Sequence, residues 1–119
     1  MVSVVIAFAA AAIVWTGCEH RPRVRPSSIV TACADANFYV DHLRWKTWGP
    51  RAATATGVAH YNDCNPNCAG GHFHTFAATV RLSKVVTCVP GRREFARVEY
   101  SGKQHGAETL PCAFLRLKP

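Results

Sequence analysis

An all-β fold, either a small antiparallel β-sandwich or a barrel-like meander stapled by disulfides, is predicted by three observations. From residue 29 onward Val, Thr, Tyr, Phe and Trp come in short stretches broken by Gly, Pro and Asn. No apolar pattern of helical period follows the N-terminal run. Six cysteines in 119 residues mark a domain with too little core to be robust without covalent help. Because the connections are short, antiparallel pairing is expected rather than parallel crossovers.

Taken in order, residues 2–15 are an apolar run of Val, Ala, Ile, Phe and Trp. The run suits the apolar part of an export leader and falls short of the roughly 20 residues that span a bilayer. No Lys or Arg precedes it, so the terminal amine alone supplies the positive start. Gly17-Cys18 resembles the end of a bacterial lipoprotein leader, in which the cysteine becomes the lipidated first residue, although Trp15 stands where that pattern wants a small aliphatic side chain. Ordinary cleavage nearby is the alternative, with Cys18 lost or left as a surface thiol. The expected organisation is thus a leader over 1–18, a tether over 19–28 and one β domain over 29–119. Pro22, Pro26 and the interleaved Arg21, Arg23 and Arg25 give the tether no period, so it should be extended and poorly packed.

Strands are predicted over 29–33, 38–46, 53–61, 72–88 with a break near Ser83-Lys84, 94–100 and 112–117. The clearest pairing is a hairpin of the third and fourth. Placing His60 opposite His74 sets Val58 against Phe76, Thr56 against Ala78 and Thr54 against Val80, which gathers aliphatic side chains on one face. Tyr61, Phe73, Ala59, Thr75, Ala55 and Thr79 then take the other. Gly57, in mid-strand, reads as a bulge or a close approach by a ring, with Trp45 or Trp48 the candidates. Leu43 and Trp45 share a core-facing phase that Trp48 leaves; large rings in so small a sheet are read as core rather than as a ligand platform.

The cysteines admit several pairings. Cys64 and Cys68 lie close enough at the hairpin tip for a local disulfide. Cys88 and Cys112 flank the penultimate strand, and closing that interval is worth about 3 to 4 kcal/mol in the chain-entropy account. With Cys18 lipidated or removed, Cys33 is the odd thiol, unless it crosses to Cys64 or Cys68.

Chemistry is thinly represented. His72 and His74 alternate onto one side of a strand and, in the register above, His60 joins them as a weak metal-ligand candidate for zinc or copper. Ordinary surface histidines are the preferred reading, so no metal and no cofactor is assigned. Asp35, Asp41 and Asp63 are isolated carboxylates, and Glu94 and Glu99 fall on opposite faces of one strand, without the pairing of a glycosidase couple. No serine sits in a nucleophile motif, and no phosphate loop or zinc-protease helix is present. The chain carries 14 Lys and Arg against seven acidic residues, a net charge of +7. That charge favours anionic lipid headgroups or cell-wall polymers as partners. An envelope protein is a further candidate partner, whereas nucleic acid is not expected in an exported compartment.

The segments Ala32-Cys33-Ala34-Asp35, Leu43-Arg44-Trp45-Lys46-Thr47-Trp48-Gly49, Thr56-Gly57, the stretch Asn62-Asp63-Cys64-Asn65-Pro66-Asn67-Cys68-Ala69-Gly70-Gly71-His72-Phe73-His74 and Val80-Arg81-Leu82-Ser83 resemble a group of small exported proteins of actinobacteria, including streptomycetes and mycobacteria. The likeness covers nearly all of the chain after the tether. It implies export and a stapled β domain, and it transfers no catalytic residues. The expectation is therefore a non-catalytic accessory or binding protein, secreted or attached to the outer face of the cell membrane. A small extracytoplasmic hydrolase or a metal-binding protein using the His60/His72/His74 face is the alternative.

Overall fold

Alternation of small or aliphatic with polar residues builds one curled antiparallel sheet. A computed structural model describes residues 12–33 and 36–112. Its strands are β1 (Ile29–Val30), β2 (Phe38–Trp48), β3 (Ala53–Asn62), β4 (Phe73–Val89), β5 (Arg92–Gly102) and β6 (Gly106–Thr109). They lie side by side in sequence order, each antiparallel to the next, and curl into a half-barrel. The meander is thus the form the all-β expectation takes. Both edge strands are very short, which limits the open backbone that could recruit another chain. Among the described residues no helix is long and apolar enough to cross a membrane.

Ala53, Ala55 and Ala59 of β3 and Phe76, Ala78, Val80 and Leu82 of β4 are buried on the concave face. Their partners are set by a register in which Ala59 faces Phe76, Ala55 faces Val80 and Ala53 faces Leu82. This corrects the expected register by one residue: His60 opposes Thr75, and His74 opposes Tyr61. A slip of one residue transfers every side chain to the other face. The cause lies in the loop between the strands. Asn62 Nδ2 donates to the Cys68 carbonyl at 2.8 Å and to Asn37 Oδ1 at 3.0 Å, while Asp63 N donates to the His72 carbonyl at 3.0 Å. These bonds, and not the aliphatic count, fix which residues face.

Irregularities in β2, between Asp41 and Arg44 and between Trp45 and Thr47, shift its phase twice. Val40, Trp45 and Trp48 consequently all pair with buried alanines of β3, so Trp48 returns to the core side that simple alternation denies it. Gly57 lies beside the first irregularity. A Cβ there would stand 2.6 Å from the Asp41 carbonyl oxygen and 2.9 Å from Leu43 Cδ2. The close neighbours are therefore backbone and Leu43, and neither Trp45 nor Trp48. The expected break in β4 is instead a single positive-φ residue, Lys84 (φ 56°), within a continuous strand. The last strand is Gly106–Thr109; Cys112 lies beyond it, and 113–117 of the predicted strand fall outside the described residues.

From Ile13 onward the N-terminal residues expected as the end of a leader are packed into the fold. Trp15 is 1% exposed and Ile13 is buried with it in the core. Val14 N donates to the Arg93 carbonyl at 3.1 Å, and Phe95 N donates to the Val14 carbonyl at 3.0 Å, so the segment runs along the free edge of β5. On its other side Trp48 Nε1 donates to the Ile13 carbonyl at 2.8 Å. It thus bridges β2 and β5 and closes one end of the half-barrel. Residues 19–28, expected as a poorly packed tether, fold back beneath it: Trp15 and Arg23 exchange backbone hydrogen bonds, and the carbonyls of Pro26 and Ser27 accept from Trp45 Nε1 and Leu43 N.

All six cysteines are paired, as Cys18–Cys33, Cys64–Cys68 and Cys88–Cys112. Cys33 is therefore not an odd thiol and does not cross to the hairpin tip. Its partner is Cys18, the lipidation candidate, whose sulfur is joined to Cys33 in this fold.

Candidate functional site

Two Asp–His groups and one groove hold the chemistry. Asp63, immediately after β3, accepts at Oδ1 from the backbone N–H groups of His72 at 2.9 Å and Asn65 at 3.1 Å. Its Oδ2 lies 2.8 Å from His74 Nε2 and 4.0 Å from His72 Nδ1. The backbone bond from His72, then the His74 ring and the Asn65 backbone, hold this carboxyl far below the usual carboxylate range. Such a depressed group stabilises the folded loop above the unfolded aspartate value of about 3.9 and loses that contribution only as pH falls through its own lower value. The hairpin tip should therefore keep its order well below pH ~4. An NMR titration of the Asp63 carboxyl carbon should show no midpoint near the ordinary value, and Asp63→Ala, which removes the acceptor, should disorder the His72 amide; an ordinary midpoint would contradict the clamp.

On the outer face of β2 and β3, Asp41 Oδ1 is 2.8 Å from His60 Nε2 and 2.9 Å from His42 Nδ1. Burial pushes the Asp41 carboxyl up, but hydrogen bonds from His42 and His60 outweigh it and the net shift is downward. Tyr39 stacks on His60 with ring centroids 4.5 Å apart, and Phe73, 51% exposed, stands 6.0 Å from Tyr39. His74 stacks on Tyr61 across β3 and β4, on the opposite face of the sheet. The structure therefore brings His72 and His74 together at Asp63 and places His60 away from them. The weak metal-ligand candidate of His60, His72 and His74 is not assembled, because it required the register that the loop bonds exclude.

Among the described residues, no hydroxyl or thiol is hydrogen-bonded to the imidazoles of His42, His60, His72 or His74. Two clusters do bring sulfur and carboxylate within 4.8 Å: Cys18, Cys33 and Glu108, and Cys88, Glu94 and Cys112. Their sulfurs are joined in disulfides and offer no thiolate ligand. Asp35 lies outside the described residues.

The groove crosses the outer face of β3, β4 and β5 and ends at β6, with a volume of about 520 Å³. Cross-strand pairing sets Thr54 beside Arg81 and Arg81 beside Glu99, with Thr79 and Ser101 in the adjacent row. Arg81 Nη1 is 3.7 Å and Arg97 Nε 3.3 Å from the same Glu99 oxygen, and Arg97 Nη1 donates to Thr109 Oγ1 at 3.3 Å. Two guanidiniums therefore share one carboxylate. Each carries five N–H donors, so most remain for a ligand. Sequence reasoning missed this site because it weighed the basic residues only as a net charge. The signal was the alternation Arg97-x-Glu99-x-Ser101 in one strand and Thr79-x-Arg81 in its neighbour, which puts all five side chains on one face.

No family model, no curated protein and no solved structure matches this chain.

Proposed function

We propose that this domain is a non-catalytic, extracytoplasmic binding module that takes an anionic cell-envelope polymer in the Arg81/Arg97 groove. The observation that carries the reading is the two-to-one ratio of guanidinium to carboxylate at Glu99, in an open groove also lined by Thr54, Thr79 and Ser101. Guanidiniums with spare donors bind carboxylate or phosphate in a bidentate fashion, and neighbouring hydroxyls suit a polyol backbone. The formal charge of +7 adds long-range attraction. Three disulfides fit an oxidising compartment outside the cytoplasm. The resemblance to small exported actinobacterial proteins fits that placement. A hydrolase or metal site on a joint His60/His72/His74 face has no support, since His60 and His74 occupy opposite faces of the sheet.

The test is titration of the folded protein with poly(glycerol phosphate) and polygalacturonate, with dextran as the uncharged control. Binding to the two polyanions should weaken steeply with salt. Charged hydrogen bonds are worth about 1.5–3 kcal/mol each, so the Arg81→Ala/Arg97→Ala double variant should lose at least about tenfold in affinity while keeping its fold. Equal binding by the variant, or equal binding to dextran, would refute the reading.

A further inference from the structure

The end of the half-barrel that the N-terminal segment closes carries a second recess, of about 370 Å³, which shares no lining residue with the Arg81/Arg97 groove. Its wall is apolar. Ile13 is buried in it, and the Trp48 ring stands at right angles to Trp45 and Phe95, with centroids 4.8 and 5.4 Å away. The bond from Trp48 Nε1 to the Ile13 carbonyl fixes the indole there. Val24 and Pro50 also line the recess and are exposed; only Val24 and Phe73 are large hydrophobic side chains so exposed among the described residues.

Guanidiniums flank this apolar wall. Arg25 and Arg93 line the recess and are exposed, and Arg51, also exposed, follows Pro50 in the turn from β2 to β3. No acidic residue lines the recess. Among the described residues none of these three side chains has an ion-pair or hydrogen-bond partner. The acids nearest in sequence are already engaged, Glu19 with Arg23 at 2.8 Å and the buried Glu94 with Thr16 at 3.0 Å. Three uncompensated cations therefore surround exposed apolar surface. A soluble polyanion would satisfy the arginines and leave Val24 and Pro50 in water. The headgroup region of a bilayer takes both, since lipid phosphates meet the guanidiniums while the acyl boundary receives the apolar side chains.

We infer that this end of the domain docks on a membrane surface containing anionic phospholipid, with Arg25, Arg51 and Arg93 on the lipid phosphates and Val24 and Pro50 at the headgroup–acyl boundary. Ala12 lines the same recess and is the residue to which the apolar run 2–11 is joined, so that run is attached to the domain at the docking end. The inference goes beyond the polymer reading and does not depend on it.

The test is sedimentation of the oxidised full chain with vesicles of phosphatidylcholine alone and of phosphatidylcholine mixed with phosphatidylglycerol, at physiological ionic strength. The parent should prefer the anionic vesicles. Each arginine near an anionic surface is worth about fivefold in affinity, so Arg25→Gln/Arg51→Gln/Arg93→Gln should lose about a hundredfold on them. Arg25→Lys/Arg51→Lys/Arg93→Lys, which keeps the charge, should stay within about fivefold of the parent. Val24→Ser removes apolar contact without changing charge and should cost about threefold or more. Arg81→Ala/Arg97→Ala, which alters the other groove, should cost less than about threefold, because screening isolates distant charges. Equal binding of the glutamine variant and the parent, equal binding of the parent to both vesicles, or a loss in Arg81→Ala/Arg97→Ala as large as in the glutamine variant overturns the inference. It falls equally if the lysine variant fails to bind, if Val24→Ser has no effect, or if the glutamine variant loses poly(glycerol phosphate) binding and keeps vesicle binding.

Discussion

Trp15→Ala should lower the unfolding free energy by about 3–5 kcal/mol, the range for deleting a large buried ring. Trp15 fills the closed end of the half-barrel, exchanges backbone bonds with Arg23, and sits on the same short segment that hands its carbonyls to Phe95 and Trp48. A small domain holds only about 5–15 kcal/mol in total, so the variant stands near the edge of folding. Denaturant titration of the oxidised protein measures the effect. Val24→Ala, at a position 40% exposed, is the control and should change stability by no more than about 0.5 kcal/mol. Near-equal effects of the two would show that residue 15 is dispensable.

Gly57→Val should cost about 3 kcal/mol, the upper part of the range for overpacking. The added carbon meets the Asp41 carbonyl oxygen at 2.6 Å, and the branches of valine then press on Leu43 and Val40. A backbone oxygen cannot rotate away as a flexible side chain would, so β2 must separate from β3 where its first irregularity lies. Gly57→Ala should cost less, because only the Cβ is accommodated. Paired denaturant curves test the order of the two effects, and hydrogen exchange at Val58 and Ala59 should rise in the valine variant before it rises in β5. A valine variant as stable as the parent would mean that the strands are not pinned at this point.

The strands were legible because their composition is local information: Thr, Val, Tyr and Phe at alternate positions, ended by Gly, Asn or Pro, determine β2 to β5 without reference to partners. Register was not local. A hairpin with a two-residue turn carries its register in the turn, whereas the loop from Asp63 to His72 leaves neighbouring registers open until the Asn62 and Asp63 bonds are known. Both registers offer a plausible aliphatic face because alanines and threonines interleave along β3. The His60/His72/His74 cluster depended on that choice and dissolved with it. The groove was obscured for a related reason, since Arg81, Arg97 and Glu99 are brought together only by the β4–β5 pairing. The burial of Trp15 was not legible because an apolar run has the same composition whether a membrane or a protein core receives it.

The sheet order repeats the sequence order, so each strand can pair with the one made just before it. The N-terminal segment breaks that rule, for Thr16 must find Glu94 across 78 residues of chain. Such long-range closure costs loop entropy and is typically a slow event in folding. The meander can therefore form progressively while its first-made residues wait, and the domain becomes watertight at that end only when the beginning of the chain returns to the edge of β5. Protease resistance of residues 13–18 during refolding should therefore arrive no earlier than that of β3 and β4, and earlier protection of 13–18 would contradict late closure.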